Sequence, residues 1–153
     1  MAVNPNTTFV AGAILTAAQM NRLPWGVMDY ATKTASQTGI TGTVIDISGL
    51  TLTFTAVSTR VYRTTVWALV RQNTSPGAPV IQITDGANVQ KTEADVYIAA
   101  AANFATFVAS CIETGLSGST TRKARGVSNT ATWDLVASAT FPAYITVEDI
   151  GQA

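Results

Sequence analysis

The sequence predicts an all-β fold, an antiparallel β-sandwich or barrel preceded by a short N-terminal anchoring helix. From about residue 43 onward, apolar and polar residues alternate with a period of two, which is typical of half-buried strands. The chain holds about eight such runs, separated by turn signals at the regular spacing of a sandwich. A capped helical stretch precedes them. We therefore divide the chain into an attachment segment, residues 1–38, and a sandwich domain, residues 39–153.

The anchoring helix is predicted from the stretch LTAAQMNRLPWG at residues 15–26. Thr16 occupies the N-cap position, and Gln19 three residues later completes a capping box. Leu15 and Met20, on either side of the cap, are spaced to form a hydrophobic staple. The proline of this stretch disfavours helical geometry at the residue before it, so the helix should end after about two turns.

A helix this short is marginal by itself and must dock on another surface to be stable. The residues expected to carry this docking are the cap and the apolar side chains of the segment: Phe9, Leu15, Thr16, Met20, Leu23 and Trp25. Residues 1–38, which run into a small, polar, linker-like stretch (ATKTASQTGITG), should attach the chain to a particle or to sister subunits. The alternative is a helix that covers the open end of its own sandwich.

Two runs in the middle of the chain show the strand pattern most clearly. In GLTLTFTAV, Leu52 and Phe54 share one face, and threonines occupy the other. In RVYRTTVWALVRQ both faces are apolar, with Trp67 and Leu69 on one of them. This second pattern predicts a central strand whose outer side is also covered, and another subunit is the candidate for that cover.

The composition points to a subunit of an assembly. Hydrophobic residues make up 47% of the chain and charged residues only 12%, whereas charged residues average roughly 25% in soluble domains. A monomer of this size normally needs a well-charged surface, so we expect much of this surface to be covered by copies of the chain or by neighbours. The alternative is a neutral, hydroxyl-rich monomer. The formal net charge is +0, so no global field attracts nucleic acid.

Catalytic machinery is missing from the sequence. The chain has no histidine, which removes Ser-His-Asp and Cys-His arrangements and most zinc sites. Cys111 lies in an alternating run and is predicted to be a small buried hydrophobe. Glu93 and Asp95 fall on one strand face, where they could bind a cation, serve as an acid pair or protect an exposed sheet edge; we favour the edge role. We expect no enzyme activity, no cofactor and no metal.

No targeting or membrane segment is predicted. The N-terminus, MAVNPNTTF, lacks the basic start and the apolar run of a signal peptide. No window approaches the roughly 18 apolar residues of a membrane-spanning helix. With a single cysteine, an intrachain disulfide is excluded. We expect a protein that is assembled in a reducing cytoplasm without membrane insertion.

The run TTRKARG carries the only clustered charge and is predicted to lie in a Ser/Gly-rich loop. Its candidate surface-binding residues are Arg122, Lys123 and Arg125, which could contact phosphates or an anionic polymer. The alternatives are a solvated loop, or salt bridges to Glu148 and Asp149 of a neighbouring subunit. No aromatic platform is interleaved with these cations, which argues against nucleic acid.

Three stretches together resemble known virion proteins. TTFVAGAILTAAQMNRLPWGVMDY resembles the N-terminal segment of many tailed-bacteriophage structural proteins. The positions that match its pattern are Phe9, Ala11, Gly12, Leu15, Thr16, Ala17, Met20 and Asn21. The ending FPAYITVEDIGQA looks like the last strand of virion proteins from phages of actinobacteria. The middle, SGLTLTFTAVSTRVYRTTVWALV, is similar to jelly-roll knobs of the trimeric C1q/TNF-like kind.

The resemblance implies a jelly-roll-like sandwich and a non-enzymatic virion structural protein. It would be a homotrimeric knob, attached to the tail through its N-terminal segment as minor tail and fibre proteins are. Its partners would be copies of itself and other virion proteins. One alternative is a capsid decoration or head-fibre protein. A second is a carbohydrate- or receptor-binding module for host adsorption, in which Trp67, Tyr97, Trp133 or Arg122 engages a cell-surface glycan.

Overall fold

A computed structural model describes residue 14 and residues 16–74, 76–128 and 131–153. Two of the predicted attachment residues, Phe9 and Leu15, lie outside the described residues. The predicted hydrophobic staple, which needs Leu15, therefore also lies outside them.

The described chain is one short helix followed by ten strands, whereas the alternating runs of the sequence number about eight. The helix α1 spans Ala17–Met20. The strands are β1 (Gly26–Lys33), β2 (Gln37–Ile40), β3 (Ile45–Ala56), β4 (Arg60–Gln72), β5 (Pro79–Asp85), β6 (Gln90–Asp95), β7 (Phe104–Thr114), β8 (Gly118–Ser128), β9 (Trp133–Val136) and β10 (Ala143–Gln152). No helix in these described ranges is long and apolar enough to cross a bilayer.

Two antiparallel sheets pack face to face. The six-stranded sheet has the order β1-β10-β4-β9-β2, and β7 pairs with the other edge of β4. The four-stranded sheet has the order β3-β8-β5-β6. Strand β4 is therefore central, with β10 and then β9 along one edge and β7 along the other. The predicted central strand is confirmed.

The pairing pattern is that of a jelly roll. Four long pairs are nested in sequence: β5 with β6, β4 with β7, β3 with β8, and β1 with β10. Such nesting is what a single long hairpin produces when it wraps around a core, so that successive pairs alternate between the two sheets. The sandwich expected from the strand spacing, and its jelly-roll-like form, are both confirmed.

The core lies between the sheets and follows the alternation in the sequence. Leu52 and Phe54 are buried, and the ring of Phe54 lies 5.1 Å from that of Tyr62 on β4. At the far end of the core, Trp133 is fully buried and its Nε1 donates to the carbonyl of Val127 at 2.9 Å. These positions are the inward half of a period-two pattern, which explains why the sequence predicts the core well.

The linker predicted over residues 31–42 is wrong. Most of that stretch belongs to β1 and β2, and β1 pairs with β10 along most of its length. The sandwich therefore begins at Gly26, and the boundary placed at residue 38 falls within β2. The strand signal is weak here because β1 is an edge strand with few buried side chains, so backbone pairing and not apolar alternation holds it in place.

Candidate functional site

The outward side of the six-stranded sheet, called here the open face, carries exposed aromatic and aliphatic side chains. Trp67 on β4 is flanked by Tyr144 on β10 and Val108 on β7, which are its cross-strand neighbours. The rings of Trp67 and Tyr144 stack with centroids 5.7 Å apart and planes 12° apart. Val108 is 55% exposed and Ile112, further along β7, is 64% exposed. An apolar row thus crosses the sheet on its solvent side.

Polar groups of the open face lie beside this row and are paired with one another. Arg63 donates from Nε to Glu148 Oε2 at 2.8 Å. The hydroxyls of Thr65 and Ser110 are 3.2 Å apart. Together with Val108, Tyr144 and Thr146 these side chains line a shallow depression. Further along β4, Arg71 on the same side binds Asp134 at 2.7 Å. The open face is therefore electrically neutral, because each of these two arginines is compensated by an acid.

The outward side of the four-stranded sheet differs in character. Its strands present threonine, serine and charged residues in alternate positions, with Thr53 and Thr121 joined by a hydroxyl contact of 2.9 Å. Asp46 pairs there with Lys123 and Arg125. Polar side chains of this kind are well solvated, so this side needs no covering partner. Only the six-stranded sheet presents an apolar outer surface.

The basic run is a strand and not a loop, which corrects the prediction. It forms the middle of β8, where Arg122 points inward, is 2% exposed and makes two hydrogen bonds to Glu113 at 2.7 and 2.8 Å. Arg122 is thus unavailable to a surface ligand. Lys123 and Arg125 point outward and bind Asp46 at 3.3 and 2.7 Å. Burial raises the pKa of Asp46, but hydrogen bonds from Arg125 and Lys123 outweigh it and lower the pKa.

The two acids that one alternative paired with the basic run of a neighbouring subunit already have partners in their own chain. Glu148 binds Arg63, and Asp149 binds Arg60, both within the same chain. Consecutive residues of β10 point to opposite sides, so Glu148 lies on the open face and Asp149 is buried.

The capping box predicted at the N-terminus is confirmed. Thr16 Oγ1 accepts from the Gln19 amide at 3.2 Å, and Gln19 Oε1 accepts from the Thr16 amide at 2.9 Å. The helix is one turn long and not two, and none of its residues is buried. Met20 and Trp25 are 51% and 52% exposed, and Leu23 is half-buried. The helix itself therefore buries no residue against the sandwich, whereas Leu23 and Trp25, which follow it, contact Arg60 at the start of β4.

A buried arginine that sequence reasoning missed holds the segment where it meets the sandwich. Arg60 is 2% exposed. Its Nε donates to Asp149 Oδ2 at 2.6 Å, its Nη2 to the carbonyl of Leu23 at 2.6 Å, and its Nη1 to the carbonyl of Asn21. The Trp25 ring lies over the guanidinium, with 4.4 Å between Arg60 Cζ and the ring centroid. No pattern in the sequence singles out Arg60, because its partners lie far along the chain or are backbone atoms.

The remaining candidates for chemistry have ordinary structural surroundings. Cys111 is half-buried, and burial, followed by the charge of Glu113, raises the pKa of its thiol to about 11. The thiol is therefore protonated at neutral pH and a poor nucleophile. Glu93 and Asp95 are exposed on β6, which is an edge strand, as the edge role requires. In the described part of the chain, no cluster of three or more acidic or cysteine residues could hold a metal ion.

The residues named for glycan binding do not gather in one place. Trp133 and Arg122 are buried, so neither can touch a surface ligand. Tyr97 is 69% exposed in the segment after β6. Trp67 alone lies on the open face, beside the depression.

No known protein-family model matches the chain, and no curated protein matches it. Solved structures that resemble the fold include a carbohydrate-binding module from Cellvibrio mixtus lichenase 5A in complex with cellotriose (13% identity, 79% of this chain, 96% of that chain, TM-score 0.38). They also include a structure of infectious bursal disease virus Gx strain (10% identity, 81% of this chain, 38% of that chain, TM-score 0.44). A third is the enzymatically active domain of bacteriophage CBA120 tailspike protein 4 (12% identity, 74% of this chain, 19% of that chain, TM-score 0.30). At these identities and scores the likeness concerns the fold alone.

Proposed function

We propose that the chain is a non-enzymatic structural subunit of a bacteriophage virion, a homotrimeric knob that the N-terminal segment attaches to the tail. The observation that carries the proposal is the open face, an apolar and neutral surface on one side of a sandwich whose other side is polar. Large exposed apolar patches on a protein are typical of interaction sites. A second copy suits this face because its charges are already paired and demand no counter-charge from the partner.

The size of the open face fits such an interface. Four strands about 4.8 Å apart and about ten residues long present roughly 600 Å² of sheet surface, and side-chain relief adds to that figure. A standard protein interface buries about 800 Å² per partner. A ring of three subunits needs two complementary patches on each. The exposed Phe104 and Ile112, at the two ends of β7, extend the patch along the sheet edge.

Val108→Glu tests self-association. Because Val108 lies beside Trp67 at the β7 end of the apolar row, its replacement puts a charge into the contact in every subunit. We expect the trimer to dissociate at least about a hundredfold more readily, or about 2.8 kcal/mol. Light scattering coupled to gel filtration measures this, and circular dichroism checks that the variant is folded.

Thr55→Glu, on the polar outer side of β3, is the matched control and should leave the oligomer intact. A wild-type protein that is monomeric at micromolar concentration would remove the trimer from the proposal. A Val108→Glu variant that stays trimeric would move the interface away from the open face.

Deletion of residues 1–20 tests attachment. The shortened chain keeps Asn21 and Leu23, so the contacts of Arg60 and the sandwich should persist. We expect its copy number per particle to fall below about a tenth of the full-length level, because the exposed helix and its apolar residues are gone. Quantitative immunoblotting of purified particles measures this. Wild-type incorporation would exclude attachment through the helix, and immunogold labelling of wild-type particles distinguishes tail from head.

Host-glycan binding is the second candidate, favoured by the depression on the open face. An aromatic wall, paired hydroxyls and a neutral guanidinium–carboxylate pair suit a neutral sugar. In the self-association proposal Trp67 is covered by another subunit, and in the glycan-binding proposal it is covered by the sugar. A glycan array probed with a wild-type monomer would assign the face to sugar if it gave a signal that Trp67→Ala abolished. A trimer with no array signal would assign the face to self-association.

A further inference from the structure

We propose that Arg60, held by Asp149, is the joint that fastens the attachment segment to the sandwich and sets the direction in which the chain leaves it. The inference rests on the proposed attachment role of that segment. In this joint Arg60 is a positioning residue, because it acts on a partner particle only through the segment that it holds.

The partners of the Arg60 guanidinium divide between the sandwich and the segment. On the sandwich side, Nε and Nη2 bind the two carboxylate oxygens of Asp149. On the segment side, Nη1 and Nη2 bind the backbone carbonyls of Asn21 and Leu23. Carbonyls just after a helix have no intrahelical partner. Arg60 supplies the donors that these two require.

Arginine is suited to this position because its guanidinium offers five donors in a rigid, planar fork, whereas lysine offers a single ammonium group. Asp149 compensates the buried charge and is itself held by the Gly151 amide at 2.9 Å. The Trp25 ring covers the guanidinium at 4.4 Å, which adds a cation–π contact. One face of the half-exposed Trp25 ring is thus held against the Arg60 guanidinium.

The joint lies on two strands that are paired along both edges. Arg60 is the first residue of β4, and Asp149 lies near the end of β10. These strands pair with each other, and β4 also pairs with β7 along nearly its whole length. The covalent path from the segment into the sandwich runs through β1, which is an edge strand. The joint therefore transmits a pull on the segment directly to the centre of the sheet.

Limited trypsin digestion of the full-length protein tests the joint at the bond between Arg22 and Leu23. Arg22 is exposed, but the carbonyl of Leu23 must leave Arg60 before the bond can enter the protease. The test variant is Arg60→Met/Asp149→Leu, which removes both buried charges together and so avoids an unpaired one. The matched control is Arg122→Met/Glu113→Leu, a second buried pair, which joins β8 to β7 and makes no hydrogen bond to a described residue of the segment.

We expect cleavage after Arg22, identified by mass, to be at least about tenfold faster in the Arg60/Asp149 variant than in the wild type and the control. All proteins are compared at a temperature where circular dichroism shows them folded. Arg60→Lys, which keeps the charge and loses the fork, should accelerate cleavage to an intermediate degree and serves if the double variant does not fold. Equal cleavage rates in the joint variants and the wild type would overturn the proposal.

The digestion uses isolated protein without particles, so its failure is distinguishable from failure of the attachment role. Normal cleavage in the joint variants, with loss of incorporation on deletion of residues 1–20, would overturn the joint alone. Rapid cleavage, with wild-type incorporation of the deletion variant, would overturn attachment through the helix and leave Arg60 as a purely intramolecular clasp.

Discussion

Phe54→Asp is expected to prevent folding. Phe54 is buried on β3 and packs against Tyr62, whose hydroxyl accepts a hydrogen bond from the Val57 amide at 2.8 Å. Loss of the ring alone costs about 3–5 kcal/mol, and an unpaired buried carboxylate adds several more. The sum reaches the total stability of a typical domain, about 5–15 kcal/mol. Circular dichroism and urea unfolding measure the result.

The next residue supplies the control for this prediction. Thr55 points outward from the same strand and is exposed, so Thr55→Asp should change the free energy of unfolding by no more than about 0.5 kcal/mol. A cooperative unfolding transition in Phe54→Asp with a midpoint near that of the wild type would show that the core is not assembled as described.

The sheets themselves could be predicted from the sequence because apolar and polar residues alternate along each half-buried strand. In GLTLTFTAV, Leu52 and Phe54 are buried while the intervening threonines are exposed. The same reasoning predicts that β4 is central, since Trp67 and Leu69 add an apolar outer side to an already apolar inner one. The alternation on β7 likewise places Val108 and Phe107 on opposite sides, as observed.

The strands in the basic run and in the predicted linker could not be recognised in this way. Both stretches are rich in polar and small residues, and that composition predicts a loop. TTRKARG looks like a solvated loop, yet Arg122 is buried against Glu113, a residue of the preceding strand. A buried cation cannot be told from an exposed one by residue type alone. In ATKTASQTG the strands are short or at an edge and bury little, so no apolar repeat marks them.

The joint at Arg60 lies further still from sequence reasoning. Its partners are a carboxylate 89 residues away and two backbone carbonyls, and backbone atoms leave no trace in residue identity. Of the attachment segment, the sequence therefore predicts the cap, which is local, and misses the contact that holds it. The open face could be predicted in part. Its individual strands follow from the sequence, but the order of the strands in the sheet, which aligns their apolar residues in one row, does not.

Asp149→Asn is expected to lower the free energy of unfolding by about 3–5 kcal/mol, because it leaves the guanidinium of Arg60 buried without a counter-charge. Both side chains are almost inaccessible, at 3% for Arg60 and 0% for Asp149, so water cannot replace the lost charge. Asparagine has the same shape and can still accept from the Gly151 amide, which isolates the electrostatic part of the effect. Chemical denaturation at neutral pH measures it.

Glu148→Gln is the control, one residue earlier on the same strand. Its partner Arg63 lies on the open face, and the two side chains are 47% and 30% exposed for Arg63 and Glu148. Exposed pairs contribute about 1 kcal/mol or less, because water screens them and solvates each partner when the other is removed. Two neighbouring acids, each bound to an arginine of β4, should therefore differ severalfold in their effect on stability. Equal losses for the two variants would mean that Asp149 is solvated in solution, and that Arg60 needs no counter-charge to hold the segment.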